Sequence, residues 1–199
     1  QLQTELKFLK SQYHPHFLFN ALNTVYFQID ESNKAPRRTL EMISELLRYQ
    51  LYGGNQKVSI LQEIDYLKTY IALRKLRMSE RLRLRVEFPP ELNELNIYPL
   101  LFLPLVENAF KYVGGDYQLD IIMKWENNRI SLFIRNSIPE LSAEDEALRK
   151  SVDERQRKGI GLVNLRRRLS LLYPSKHRLE TRKEETEFVA ELMIEIEEI

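Results

Sequence analysis

The sequence predicts an α+β protein in which a helical part comes first and a sandwich of strands and helices follows. Apolar residues recur at spacings of three and four up to about residue 76, which is the period of amphipathic helices. From Leu82 to Phe88 apolar and charged residues alternate, which is typical of a strand with one buried face. Helices and strands segregated along the chain indicate an α+β sandwich.

Four more strands are predicted after the first one. Leu119 to Trp125 and Ile130 to Arg135 flank a hairpin signal at Glu126-Asn127-Asn128-Arg129. His177 to Arg182 and Glu187 to Ile196 have the same alternation. These strands complete the expected sandwich.

Length and composition limit the classes of protein to which the chain can belong. With 199 residues it can form one large or two small domains. Its net charge of +1 argues against a nucleic-acid binder, and the absence of cysteine excludes disulfides and thiolate metal sites. No apolar run approaches the roughly 20 residues of a transmembrane helix. Because the chain starts within a helical pattern, we interpret it as a fragment of a longer protein.

Two helices are predicted at the start of the chain. The first extends from about residue 2 to 30, and the polar turn that follows ends in Pro36, which suits the first turn of a helix. A second apolar stripe runs from Leu40 to Leu51 and is closed by Gly53-Gly54. One helical hairpin buries too little apolar surface, so we expect two chains to form a four-helix bundle.

A histidine interrupts the apolar seam of the first helix. The seam, at alternating spacings of four and three, consists of Leu2, Leu6, Leu9, Tyr13, His16, Asn20 and Asn23. Pro15 is expected to kink or open the helix just before His16. A lone histidine on a helix is more often structural than functional, so its neighbours decide the interpretation.

The segment Pro15-His16-Phe17-Leu18-Phe19-Asn20 resembles the phosphoacceptor segment of LytS-like sensor histidine kinases. In that family the histidine after the proline receives the phosphoryl group. The resemblance therefore implies that His16 is the acceptor. His14, two residues earlier, faces roughly the opposite side of a helix and is not expected to replace it.

A third predicted helix joins the helical part to the strands. Ser59 suits its N-cap and Glu63 its first turn. Val58 to Arg81, including Tyr70 and Arg77, resembles the block that links the bundle to the catalytic domain in the same family. We therefore expect a dimerisation and phosphoacceptor domain over residues 1–80 and a catalytic domain over residues 81–199.

Three polar residues, Glu107, Asn108 and Lys111, lie within an apolar helix predicted from Leu100 to Tyr112. A buried carboxylate is costly unless it is paired or binds something, and an i,i+4 ion pair of Glu107 with Lys111 is the structural alternative. The segment resembles the N box of the GHKL ATPase superfamily. This implies that Glu107 orients or activates the attacking group, that Asn108 binds Mg²⁺ and that Lys111 meets phosphate.

Two glycines open the helix predicted from Gly159 to Tyr173. Such glycines expose backbone N–H groups to phosphate. A Rossmann or Walker motif does not fit, because no strand directly precedes Gly159 and no Gly-Lys-Ser/Thr is present. The segment resembles the second glycine box of the GHKL superfamily. The resemblance places the nucleotide at Gly159, Gly161, Leu162 and, from the family's Gly-Thr pair, Thr186.

The first glycine box of that superfamily is degenerate here. Its form is Asp-x-Gly-x-Gly after a strand, and the aspartate accepts from the adenine amino group. The chain has Asn136-Ser137-Ile138-Pro139-Glu140, so Asn136 takes the aspartate position and both glycines are missing. An asparagine carbonyl can accept but carries no charge, so we expect weak nucleotide binding. The resemblance implies that the polar stretch from Pro139 to Lys158 is the ATP lid.

The order of these segments predicts the kinase core of a two-component sensor. ATP and Mg²⁺ bind residues 81–199, and the γ-phosphoryl group moves to His16, with Glu107 as base, and then to an aspartate of a LytR-type response regulator. Two alternatives stay open: a dimeric scaffold that has lost ATP turnover, and a GHKL ATPase clamp, which His16 disfavours. We expect a homodimer in the cytoplasm, no nucleic-acid partner, and membrane attachment only through segments outside this chain.

Overall fold

The computed structural model describes residues 15–52, 56–90, 92, 95–140 and 160–196. In this part of the chain the helices are α1 (Pro15–Gln28), α2 (Lys34–Tyr52), α3 (Ile60–Lys75), α4 (Leu103–Tyr112) and α5 (Ile160–Leu172). The strands are β1 (Val58–Ser59), β2 (Arg83–Glu87), β3 (Asn96–Ile97), β4 (Gln118–Glu126), β5 (Arg129–Ser137), β6 (His177–Lys183) and β7 (Glu187–Glu195). The predicted α+β class is confirmed.

The chain packs as two compact units. The first contains the described residues up to Gln56 together with Lys68–Arg77, and the second contains Lys57–Leu67 and the described residues from Met78 onward. Helices α1 and α2 lie in the first unit, and all seven strands with α4 and α5 lie in the second. The domain boundary expected at residue 80 stays a prediction.

In the first unit, α1 and α2 are joined by a short polar turn and pack against each other. The carboxylate of Asp30 accepts the N–H of Ser32 at 2.8 Å, and the hydrogen bonds from Ser32 hold the pKa of Asp30 below its usual value. The guanidinium of Arg37 donates to the carbonyl of Ile29 at 2.8 Å and 3.1 Å. The predicted turn and the helical position of Pro36 are therefore confirmed, whereas residues before Pro15 and Gly53-Gly54 lie outside the described residues.

The second unit is built on a five-stranded sheet in the order β2-β4-β5-β7-β6, in which only the β2–β4 pair is parallel. Asn127 and Asn128 both have left-handed backbone angles, with φ of 51° and 59°, so β4 and β5 are joined by the tight hairpin that the sequence predicts. Helix α4 packs on β4 and β5, and α5 packs on α4 and β6. Between them lie the core residues Leu119, Ile121, Met123, Ile130, Leu132, Ile134, Leu165, Leu169 and Leu192.

Helix α3 begins with a capping box. The hydroxyl of Ser59 accepts the N–H of Leu61 at 3.2 Å, and the side-chain oxygen of Gln62 accepts the N–H of Ser59 at 3.1 Å. The N-cap predicted at Ser59 is confirmed. Glu63 lies in the first turn as predicted, but its side chain is completely buried.

The segment before α4 is held by side chains from two helices. Oε1 of Glu63 on α3 accepts the N–H of Leu100 at 2.8 Å, and Leu100 has a φ of 60°. The guanidinium of Arg168 on α5 donates to the carbonyl of Pro99 at 3.0 Å. Burial lowers the pKa of Arg168, and the charge of Glu63 opposes this. Helix α4 therefore begins at Leu103 and not at Leu100 as predicted, because Leu100 has a non-helical backbone bound to a side chain.

Replacing Glu63 by leucine is expected to destabilise the second unit by about 1.5–3 kcal/mol, since the half-buried N–H of Leu100 loses its carboxyl acceptor. Glu63→Gln keeps an acceptor oxygen and is expected to cost less. The measurement is urea unfolding followed by circular dichroism. Asp65→Leu removes an exposed carboxylate from the same helix and serves as the control. Equal midpoints for Glu63→Leu and Asp65→Leu would contradict the assigned role.

Candidate functional site

His16 lies in the first turn of the described part of α1 and is exposed. Nδ2 of Asn20, one helical turn later, lies 3.1 Å from Nδ1 of the imidazole. The neighbouring Phe17 is also exposed, with 74% of its surface accessible. His16 is therefore open to an incoming group, and one of its two ring nitrogens already has a polar neighbour.

Helix α4 carries three of the predicted site residues on its outer side. Glu107 and Lys111 are exposed and Asn108 is half-buried, whereas Leu105, Val106, Ala109 and Phe110 face the core. The expectation of a buried carboxylate at Glu107 is therefore wrong, because the apolar stripe of the helix takes all the contact with the sheet. The ammonium of Lys111 lies 5.0 Å from the centre of the Tyr112 ring. The exposed side of α4 thus offers a carboxylate, an amide and an ammonium group within five residues.

The end of α4 is fixed to the end of β5 by Ser137. Its hydroxyl donates to the carbonyl of Gly114 at 2.6 Å and accepts the N–H of Gln118 at 2.8 Å. Its own carbonyl accepts the N–H of Gly114 at 3.0 Å. These bonds place the polar end of α4 beside the strand that carries Asn136. Sequence reasoning missed Ser137, although a serine next to a strand end is a common bridging residue.

Asn136 lies within β5 and is 1% exposed. It pairs with Leu119 of β4 and with Phe188 of β7, so the strand continues past Arg135, where the sequence predicted its end. Its side chain alternates in phase with Leu132 and Ile134, which places it on the face of the sheet that α4 covers. Its Nδ2 donates to the carbonyl of Ser137 at 3.3 Å.

Glycine is needed in the loop that lies against the degenerate box, at Gly114 and Gly115. A Cβ on Gly114 would lie 2.9 Å from Cδ of Pro139, and Gly115 has a φ of 58° with its Cβ position 2.9 Å from the carbonyl of Ile138. Ile138 is itself buried, and its N–H donates to the carbonyl of Thr186 at 2.8 Å. The close backbone approach at the end of β5 is therefore made by the loop after α4.

Gly161 and Leu162 form the first turn of α5, and Gly159 lies outside the described residues. Gly161 is exposed, and a Cβ added to it would meet nothing within 4 Å. Leu165 and Leu169, further along the helix, are buried and anchor it. The helix thus presents an open first turn, and nothing in the local packing requires glycine at Gly161.

The structure separates the predicted residues into three groups: His16, the residues near one end of β5, and the first turn of α5. His16 belongs to the first unit, and all other described candidates belong to the second. Within the second unit, hydrogen bonds bring the end of α4, Asn136 and Thr186 together at one end of β5, and α5 with Gly161 packs on α4. In the described parts of the chain, no group of three or more His, Cys, Asp or Glu side chains is arranged to hold a metal ion. A cation at Asn108 would need ligands from a bound phosphate.

Comparison with known proteins agrees with the sequence resemblance. Residues 4–82 match the model of the histidine kinase family. The chain is 29% identical over 180 residues to the sensor protein kinase HptS of Staphylococcus aureus, covering 88% of this chain and 35% of that protein. The chain thus spans about a third of the length of the curated relatives it matches. The resemblance to sensor histidine kinases is confirmed, and the narrower LytS-like grouping stays a prediction.

Two solved structures align with most of the chain. The catalytic domain of the histidine kinase ThkA is 17% identical and covers 70% of this chain and 93% of its own, with a TM-score of 0.45. The histidine kinase domain of a blue-light activated kinase from Erythrobacter litoralis is 14% identical and covers 88% and 93%, with a TM-score of 0.49.

Alanine substitution should have opposite effects at Gly115, which is in close contact with Ile138, and at Gly161, which has open space around it. Gly115→Ala forces a left-handed alanine against the carbonyl of Ile138 and is expected to cost at least about 1 kcal/mol. Gly161→Ala is expected to leave stability unchanged or to raise it by up to about 1 kcal/mol, because alanine favours a helix. Thermal unfolding of both variants tests this, and a destabilised Gly161→Ala protein would show that the first turn of α5 is not open.

Proposed function

We propose that this relative of the sensor histidine kinases is an ATP-dependent protein kinase that phosphorylates its own His16 and passes the phosphoryl group to an aspartate of a response regulator. The observation that carries the proposal is the exposed imidazole of His16 within the part of the chain that matches the histidine kinase family. A histidine kept for packing would be covered, whereas an acceptor must be reached by a phosphate.

The residues of α4 supply the polar groups that phosphoryl transfer needs. ATP with Mg²⁺ supplies the phosphoryl group as substrate. The amide oxygen of Asn108 is a neutral oxygen ligand of the kind Mg²⁺ accepts, and the ammonium of Lys111 neutralises phosphate charge. Glu107 is exposed, as a carboxylate must be if it is to take part in proton transfer with a histidine. The open first turn of α5 at Gly161 and Leu162 leaves room for phosphate oxygens.

Two residues at the place where the superfamily binds adenine favour a second candidate function. Asn136 supplies a neutral amide in place of a carboxylate, and its Nδ2 is bound to the carbonyl of Ser137, so the oxygen is the end left to accept from adenine. The buried Ile138 fills the place where the superfamily has its first glycine. Both observations favour the alternative function, a dimeric signalling scaffold with weak or no ATP turnover.

We further propose that the first unit forms the homodimer. Three large apolar side chains of α1 are exposed: Phe17 at 74%, Val25 at 46% and Phe27 at 79%. A groove of about 390 Å³ between α1 and α2 is lined by Leu22, Tyr26, Phe27 and Leu40 together with polar residues. A second hairpin would cover this surface in a four-helix bundle. The partner regulator is proposed to be of the LytR type.

The cellular position stays a proposal as well. Among the residues that the structure describes, no helix combines the length and apolar character that a membrane crossing requires. We propose that the chain lies on the cytoplasmic side, where ATP is available, and that any membrane anchor belongs to other segments.

Incubation with γ-labelled ATP and Mg²⁺ tests the acceptor. His16→Gln is expected to abolish incorporation of label while circular dichroism and sedimentation stay unchanged, because the exposed side chain makes no core contact. His14→Gln is the matched control and is expected to keep the label. The opposite pattern would move the acceptor to His14, and no label in the unsubstituted chain with ATP bound would favour the scaffold.

Isothermal titration with ATP tests the role of Asn136. A charged acceptor contributes about 1.5–3 kcal/mol and a neutral one about 0.5–1.5 kcal/mol. Asn136→Asp is therefore expected to tighten ATP binding by roughly tenfold, with little change for GTP, whose base has no amino group at that position. An unchanged affinity in a correctly folded variant would mean that adenine is held elsewhere.

A further inference from the structure

The imidazole of His16 has one ring nitrogen occupied by a neighbour on its own helix. Nδ2 of Asn20 lies 3.1 Å from Nδ1, and an amide nitrogen can only donate. With the amide in this orientation Nδ1 can only accept, and a neutral ring would carry its proton on Nε2. Neither nitrogen of such a ring has a free lone pair, so this arrangement does not allow attack on phosphorus.

The same amide can support the reactive state. Rotation by 180° about the last side-chain bond of Asn20 exchanges Nδ2 for Oδ1 at the same place. Oδ1 accepts from Nδ1–H, which fixes the proton on Nδ1 and leaves the lone pair of Nε2 free. Both His16 and Asn20 are exposed, so the packing does not fix the orientation of the amide.

Helix α1 has no acidic side chain that could accept the Nδ1–H of His16. The sequence of α1 contains no aspartate or glutamate, and the residue after His16 is the apolar Phe17. Thr24 contacts only the backbone of Asn20 in this bond, because the Thr24 hydroxyl donates to the Asn20 backbone carbonyl at 2.9 Å. The side-chain amide of Asn20 therefore remains available to the imidazole.

We propose that Asn20 is a positioning residue that selects the tautomer of His16 and directs the phosphoryl group to Nε2. The transfer itself rests on the proposed kinase function. The Nε2 lone pair forms the N–P bond, and the bond from the γ-phosphorus to its bridging oxygen breaks, with its electron pair leaving on ADP. The Nδ1 proton is held by Oδ1 of Asn20 and then passes to the proposed base, the carboxylate of Glu107, because an amide oxygen is too weak a base to take it.

Nitrogen-15 NMR of the imidazoles in the intact chain tests this without kinase activity. Spectra are recorded at about pH 8.5, above the ordinary pKa of histidine, so that the rings are neutral. His177 is an internal reference for the Nδ1–H tautomer, because its Nδ1 lies 2.7 Å from the carbonyl of Tyr173 and must donate. Its signals should be the same in every variant.

Three variants separate the possibilities. Asn20→Asp has only acceptor oxygens and is expected to populate the Nδ1–H tautomer of His16 at least about threefold more than Asn20→Leu, which has no polar group. Thr24→Val leaves the amide of Asn20 in place and is expected to match the unsubstituted chain. Equal tautomer populations in Asn20→Asp, Asn20→Leu and the unsubstituted chain would overturn the proposal.

Labelling with ATP then tests the direction of transfer. Asn20→Asp is expected to keep the label on Nε2, and Asn20→Leu to lower kcat by about tenfold with an unchanged KM for ATP. Phosphorus-31 NMR of the product identifies the nitrogen, and a label on Nδ1 would overturn the assignment. If no variant takes label while the tautomers shift as expected, the kinase function fails and tautomer selection by Asn20 stands.

Discussion

The buried carboxyl group of Glu63 is the constraint on which the arrangement of the second unit depends. It is completely buried, accepts the N–H of Leu100 and thereby fixes a left-handed residue three positions before the start of α4 at Leu103. Arg168 holds the preceding carbonyl from α5. Side chains from α3 and α5 therefore hydrogen-bond to the same short segment, Pro99-Leu100, and set the start of α4. The positions of Glu107, Asn108 and Lys111 along the exposed side of α4 follow from that start.

Much of the fold could be predicted because its causes are local. Period-two alternation marks β2, and the pair Asn127-Asn128 supplies the two left-handed residues of the turn between β4 and β5. Ser59 caps α3 whatever the rest of the chain does. The burial of Glu63 could not be predicted, because it depends on the loop at Leu100, which is 37 residues away in sequence. A charged residue in a first helical turn normally points to water, and only tertiary contacts reverse this.

In the candidate site, too, local features could be predicted from the sequence and features that depend on tertiary contacts could not. The segment from Pro15 to Asn20 could be recognised from its order of residues, and its exposure agrees with an acceptor. Glu107 was predicted to be buried, but it is exposed. The end of β5 was predicted at Arg135, one residue before the buried Asn136. Both differences arise from tertiary contacts that a local sequence pattern does not contain. The helix turns its apolar stripe to the sheet, and the strand gains pairing partners on both sides.

The two chemical tasks of the proposed kinase make opposite demands on their surroundings. An acceptor histidine needs exposure and a polar neighbour that can either donate or accept, and Asn20 meets this demand within one helical turn. A base-recognising amide needs burial, because water would otherwise compete for its hydrogen bonds, and Asn136 meets that demand inside a sheet. The close backbone approach beside this box is made from the opposite loop, by Gly114 and Gly115. In the proposed kinase, the neutral amide at Asn136 is therefore the difference that we expect to weaken adenine binding.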